Sequence, residues 1–167
     1  MVMSETARWD LPLLFAGQAQ KEVFHNEALV RMDMLMHARA ESADLAEPPE
    51  MPDVGQCWIV ANGAVGAWSD HVQSLACWTE GGWRFAAPGA GLSIEVTDRG
   101  HALRYDGEAW RETEVRTDGI YIDHKRIIGP RGGPISEPIG GAVIDAECRA
   151  ALGAILSALR AHGVVES

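Results

Sequence analysis

The chain reads as α+β and mainly β: an N-terminal helix, an antiparallel β-meander forming a small barrel or sandwich, and a C-terminal helix. Three observations predict this. The apolar period is three to four over 18–40 and again over 143–162, but two over 55–113. Turn signals at Asn62-Gly63, Glu80-Gly81-Gly82, Pro88-Gly89, Asp98-Arg99-Gly100 and Asp106-Gly107 divide the middle region at short intervals. That region also repeats itself. Trp78 and Trp83 are echoed by Tyr105 and Trp110, each 27 residues on. In both units an aromatic is followed by four turn-prone residues and then Trp. Glycine in each supplies the positive φ that tight loops need. Two β-hairpins, each with an aromatic at both ends of its turn, are the expectation.

Taken in order, 1–16 reads as a loose arm. Helix formers dominate 18–40, with no Gly or Pro after Gly17. Phe24, Ala28, Leu29, Met32, Leu35 and Met36 form its apolar stripe. The segment 41–53 is an acidic linker with Pro48, Pro49 and Pro52. Strands are expected at 57–61, 72–78, 83–86, 92–96, 102–105 and 109–112. In 117–141, Ile120, Ile122, Ile127 and Ile128 are strand-like. The Gly/Pro run from Gly129 to Pro134 is long for a loop in a compact monomer and is expected to wrap against a neighbouring chain. Asp145 is the expected N-cap of the last helix and Gly163 its C′ stop. Cys148, Leu152, Ile155 and Leu159 make a seam along it. That seam either packs on its own domain or bundles three copies. The expected organisation is 1–44 (attachment and oligomerisation), 54–113 (the hairpin module), 114–141 (extended) and 142–167 (oligomerisation helix).

Composition narrows the function. The chain has 167 residues, 47% of them apolar, enough to bury a real core. A net charge of −10 opposes binding to nucleic acid or an anionic membrane. Cys57, Cys77 and Cys148 are too widely spaced for a disulfide framework or a CxxC metal pair, and are expected to be reduced, buried thiols. Neither a signal peptide nor a membrane-spanning segment is expected.

Catalytic signatures are missing from the sequence: it has no GxSxG, HExxH, Walker loop or dinucleotide fingerprint. Asp123-His124 has no nucleophile near it in sequence. A glycosidase would need two carboxylates, and Glu95, Asp98, Asp106 and Glu108 lie in the β region. Two of these sit in turns, where Asp is expected for backbone reasons. The expectation is a non-enzyme with no catalytic residues, metal or cofactor. The remaining signal is aromatic, because five of the six tryptophans fall in one third of the chain. These rings either fill the core of the module or stack on sugars. The candidate glycan ligands are Trp68, Trp78, Trp83, Tyr105 and Trp110, with Arg84 and Arg104 to pair acidic sugars. Trp68, in its Gly-Ala-Trp-Ser-Asp loop, is the expected exposed ring. The candidate oligomerisation residues are Leu29, Met32, Leu35 and Met36 on the first helix and Cys148, Leu152, Ile155 and Leu159 on the last.

Three stretches carry a resemblance. They are Leu11-Pro12-Leu13-Leu14-Phe15-Ala16-Gly17-Gln18-Ala19-Gln20-Lys21-Glu22 with His25-Asn26-Glu27-Ala28-Leu29, the paired hairpins, and Gly140-Gly141-Ala142-Val143-Ile144-Asp145-Ala146-Glu147-Cys148-Arg149 running into Leu159-Arg160-Ala161-His162-Gly163. Together they resemble an uncharacterised domain family of alphaproteobacterial prophages and gene transfer agents. The resemblance implies a virion protein, a head spike or tail fibre, that attaches to the host by binding capsular or other surface polysaccharide. It implies a homo-oligomer, a trimer by analogy with fibres, bound to other particle proteins such as capsid, baseplate or spike base. It also implies assembly in the bacterial cytoplasm and release by lysis. The alternatives are a structural adaptor to a separate receptor-binding protein and a capsule-degrading enzyme. No catalytic residue carries over.

Overall fold

The computed structural model describes residues 5–14, 21–140 and 145–166. The expected helix start at 18–20 and the Val143-Ile144 lead-in to the last helix lie outside them. The chain divides into two units, Met1–Thr113 and Glu114–Ser167.

In the first unit, α1 spans Lys21–Leu35. It stops five residues short of the expected end at 40. His37 takes φ of 46°, which breaks the helical path. The chain then extends into β1 (Arg39–Ala40), which pairs in parallel with β5 (Ser93–Val96). The described part of the arm, 5–14, is not loose. Glu5 bridges Pro12, and the buried Asp33 carboxylate accepts the Thr6 hydroxyl at 2.6 Å and the Trp9 amide at 2.8 Å. The Arg8 guanidinium donates to the carbonyls of Asp33 and Met34 at 2.9 Å and of His37 at 3.0 Å. Those end-of-helix carbonyls have no amide of their own to accept from, so a basic side chain there is the natural cap.

The helix buries Met34, with Val30 and Leu35 packed on the same core. Most of the expected stripe points elsewhere: Phe24 is 79% exposed, and Met32 and Met36 are exposed as well. The apolar residues of α1 therefore occupy two faces, and only one meets the fold.

β2 (Cys57–Ile59), β3 (Leu75–Thr79) and β4 (Gly82–Ala86) form an antiparallel meander. β6 (His101–Tyr105) and β7 (Trp110–Glu112) continue from β5, giving a second sheet ordered β1-β5-β6-β7. Strand alternation sends Cys57, Ile59, Leu75, Cys77 and Ala86 from the first sheet, and Ile94, Val96 and Leu103 from the second, into one core. Each such fully buried aliphatic contributes about 1.5–3 kcal/mol. The two sheets thus make a sandwich under α1, and neither sheet closes into a barrel among the described residues.

The other face of the meander carries Trp58, Val60 and Ala76, with Trp78, Trp83 and Phe85 beside them. The loop 61–74 folds back over this face. Its 3-10 turn, Gly66–Trp68, inserts Trp68 into a second core.

In the second unit, β8 (Val115–Arg116), β9 (Gly119–Ile122) and β10 (Lys125–Ile128) form a small antiparallel sheet. Asp123 and His124 both take positive φ between β9 and β10. They are a two-residue hairpin turn of the kind that matches strand twist, which accounts for the pair structurally. Gly119 takes φ of 154°, and a Cβ there would collide with the Ile128 carbonyl. α2 spans Ala146–Ala161, and the Asp145 carboxylate caps it by accepting the Cys148 amide at 2.8 Å. Gly163 takes the left-handed φ of 71° expected at the stop.

The Gly/Pro run and the residues after it make bonds within their own chain. Gly132 bridges Val165, and Arg160 donates to the Ile135 carbonyl at 2.6 Å and the Glu137 carboxylate at 2.8 Å. Side chains of α2 and the residues just after it therefore carry this stretch along their own helix.

Candidate functional site

Both predicted hairpins form, and each brings its two aromatics opposite one another. Trp78 pairs Trp83 across β3–β4, with ring centroids 5.1 Å apart and edge to face. Tyr105 pairs Trp110 across β6–β7 at 5.3 Å. The surroundings of the two pairs differ.

The first pair belongs to the second core. Trp58, Trp68 and Trp83 meet one another at 5.1–6.3 Å, and each such aromatic contact adds about 0.5–1.5 kcal/mol beyond burial. Trp68 is 0% exposed, which corrects the expectation that it is the open ring. Its loop is polar in sequence, but the apolar outer face of the meander needs a cover, and Trp68 supplies it. Trp78 and Trp83 are half-buried, and Phe85 stacks flat on His71 at 3.6 Å. Arg84 turns towards α1, where it pairs Glu27 at 3.1 Å. Arg104 is exposed on β6 opposite Arg111.

The second pair is held by Gln73. The Tyr105 hydroxyl donates to Gln73 Oε1 at 3.0 Å, and Trp110 Nε1 donates to the Gln73 carbonyl at 2.9 Å. Gln73 sits at φ of 66°, a left-handed conformation that presents its carbonyl and its amide side chain together. In the turn itself, Asp106 accepts the Glu108 and Ala109 amides at 2.8 Å and the Arg111 Nε at 2.7 Å. The Ala109 amide, Arg111 and the Glu108 amide hold its carboxyl far below the usual carboxylate range. Asp106 is thus a turn residue with its oxygens occupied, and a poor proton donor.

Trp110 of this pair makes one wall of a cleft of about 400 Å³. Trp110 and Leu103 give it an apolar side, and Asp44, Asn62, Gln73 and Arg99 give it a polar rim. Arg99, in the β5–β6 turn, pairs the Asp44 carboxylate and lies 3.9 Å from Glu112. His101 donates from Nδ1 to the Arg99 carbonyl at 2.8 Å, since a carbonyl only accepts. Its Nε2 lies 3.7 Å from Glu112. The guanidinium is thus balanced by two carboxylates, and the rim offers donors and acceptors without excess positive charge. An aromatic wall beside amides, a carboxylate and an arginine is the chemistry that reads ring C–H faces and hydroxyls.

Of these residues, sequence reasoning singled out only Trp110. Asn62 and Arg99 were visible as turn residues, and Asp44 and Gln73 carried no signal. Among the described residues, no group of three or more His, Cys, Asp or Glu is placed to hold a metal ion. No described helix is long and apolar enough to cross a membrane.

Comparison with known families matches residues 25–111, just over half of the chain, to the family described as "Protein of unknown function (DUF2793)". The chain belongs to the DUF2793 family. The matched span runs from within α1 to β7, and every cleft residue named above lies inside it. No protein of curated function matches the chain.

The oligomerisation candidates of this DUF2793 protein fall on two separate helices. On α1, Leu29 and Leu35 are half-buried, and Met32 and Met36 line an open apolar groove with Phe24 and Ala28. On α2, Cys148, Leu152 and Ile155 are exposed and Leu159 is half-buried, while the buried residue is Leu156, one position off the seam.

Proposed function

We propose that this DUF2793 protein is a component of a phage or gene transfer agent particle, a head spike or tail fibre, that binds host-surface polysaccharide through the Trp110 cleft. The observation that carries the binding reading is the cleft itself: about 400 Å³, with one aromatic wall and a rim of Asp44, Asn62, Gln73 and Arg99. That size lies within the usual range for small-ligand sites. Gln73 fixes the indole edge, so the ring costs little entropy to present. Because Arg99 is already balanced by Asp44 and Glu112, the reading favours a neutral sugar over the acidic one expected from Arg84 and Arg104. The particle role comes from the sequence resemblance and is supported by the exposed apolar seam on α2, which suits self-assembly.

A second reading, an adaptor joining the particle to a separate receptor-binding protein, is favoured by one observation. The α1 groove of Phe24, Ala28, Met32 and Met36 is an open apolar surface. Retention of purified protein on encapsulated host cells, compared with an isogenic capsule-free strain, separates the two. Capsule-dependent retention supports glycan binding, whereas equal or absent retention supports the adaptor.

A further inference from the structure

Cys57 on β2 stands directly opposite Cys77 on β3. The neighbouring backbone bonds define the kind of pair. The Trp78 amide donates to the Gln56 carbonyl at 2.9 Å, and the Val60 amide donates to the Ser74 carbonyl at 3.0 Å. Ladder bonds in an antiparallel pair alternate, so they fall at 56/78, 58/76 and 60/74 and skip 57/77. In such a non-hydrogen-bonded pair the Cα atoms lie about 4.5 Å apart, with side chains close. A disulfide spans Cα separations of roughly 4.4–6.8 Å. Both side chains point into the main core, with Cys57 1% and Cys77 2% exposed, and both are free thiols. The third cysteine, Cys148, is in the other unit and exposed.

We propose that Cys57 and Cys77 are a redox-active dithiol, which a small peroxide converts into an intramolecular cross-strand disulfide. The Cys57 thiol donates to the Gly55 carbonyl at 3.5 Å and the Cys77 thiol to the Trp78 carbonyl at 3.8 Å. The neighbouring Cys77 sulfur and burial push the Cys57 thiol up. The neighbouring Cys57 thiol, with help from the Arg8 guanidinium, pulls the Cys77 thiol down, against the effect of burial. Cys77 is therefore the attacking sulfur. Its thiolate takes one peroxide oxygen, the O–O bond breaks, and hydroxide leaves with the Cys77 proton as water. Cys57 then attacks the Cys77 sulfenic sulfur. The S–S bond forms, the S–O bond breaks, and the hydroxyl leaves with the Cys57 proton as a second water. Two thiols and one hydrogen peroxide give one disulfide and two waters; the sulfurs lose two electrons and the peroxide gains them. Burial screens the pair from bulky disulfide oxidants and leaves a water-sized peroxide, admitted by local opening of the sheet, as the effective class.

The bond would close the loop 57–77. That loop carries the Trp68 plug and the cleft residues Asn62 and Gln73, so oxidation stiffens the module where it presents the cleft. The inference stands on the cysteine geometry alone and does not depend on what the cleft binds.

The test uses the full chain with Cys148→Ser, reduced and then exposed to hydrogen peroxide. The expected product is about 2 Da lighter, yields one linked peptide containing Cys57 and Cys77, and regains both thiols with dithiothreitol. Its thermal midpoint rises by on the order of 10 °C. Two outcomes overturn the proposal: both cysteines stay fully alkylatable after denaturation, or each gains oxygen separately as a sulfinic acid. Peptide mapping of the peroxide-treated wild-type chain separates the same outcomes if the serine variant folds poorly.

Discussion

Arg8 donates two hydrogen bonds to Asp33, one from its backbone to the side chain and one from its side chain to the backbone. The Asp33 carboxylate accepts the Arg8 amide at 3.0 Å, and the Arg8 guanidinium donates to the Asp33 carbonyl at 2.9 Å. One contact ties the arm to α1 and the other caps the end of α1, so the helix stops where the arm crosses it. Arg8→Ala removes the donor to four carbonyls at once, those of Asp33, Met34, Met36 and His37. The expected loss is about 2 kcal/mol, read as a lower urea midpoint with an unchanged slope. Faster proteolysis within 5–14 should accompany it.

Trp68→Ala tests the correction made by the second core. A fully buried ring that touches Trp58 and Trp83 should cost about 3–5 kcal/mol. The expected result is a large fall in the thermal midpoint, with near-ultraviolet circular dichroism lost from the tryptophan cluster. A stable Trp68→Ala protein would place the ring outside the core.

The difference between the hairpins and the cleft explains what the sequence could convey. The hairpins were legible because aromatic spacing and the glycines at Gly82 and Gly107 act within a few residues. The Asp145 cap and the Gly163 stop are local in the same way. The cleft joins Asp44, Asn62, Gln73, Arg99 and Trp110, which come together only after two sheets and a long loop have packed. β1 was hidden for the same reason. Arg39 and Ala40 read as helix, and only pairing with Glu95 and Val96 makes them a strand. Trp68 misled because a Gly-Ala-Trp-Ser-Asp loop looks solvent-facing until the face it must cover is known.

Asp106 predicts a pH response. Its folded carboxyl titrates well below the ordinary value of 3.8, so its contribution to stability is complete above that value and fades as pH falls towards the depressed one. Carboxyl-detected NMR should therefore find Asp106 still ionised at pH values where exposed Asp residues are protonated. A midpoint near 3.8 would remove the turn cap.

Self-association is expected through the exposed α2 seam, where Ile155 is 56% exposed. Light scattering should give three times the 18.0 kDa chain mass, and Ile155→Asp should reduce it. A wild-type mass of one chain at micromolar concentration would remove the trimer.

Calorimetric titration of capsule oligosaccharides into the purified protein bears most directly on the binding claim. Asn62→Ala is the informative variant, because its exposed side chain lines the cleft and makes none of the bonds that hold the hairpins. Saturable binding by the wild type, weakened about tenfold by Asn62→Ala with the thermal midpoint unchanged, is the predicted result. Absence of binding, or equal affinity in both proteins, would contradict the Trp110 cleft as a saccharide site.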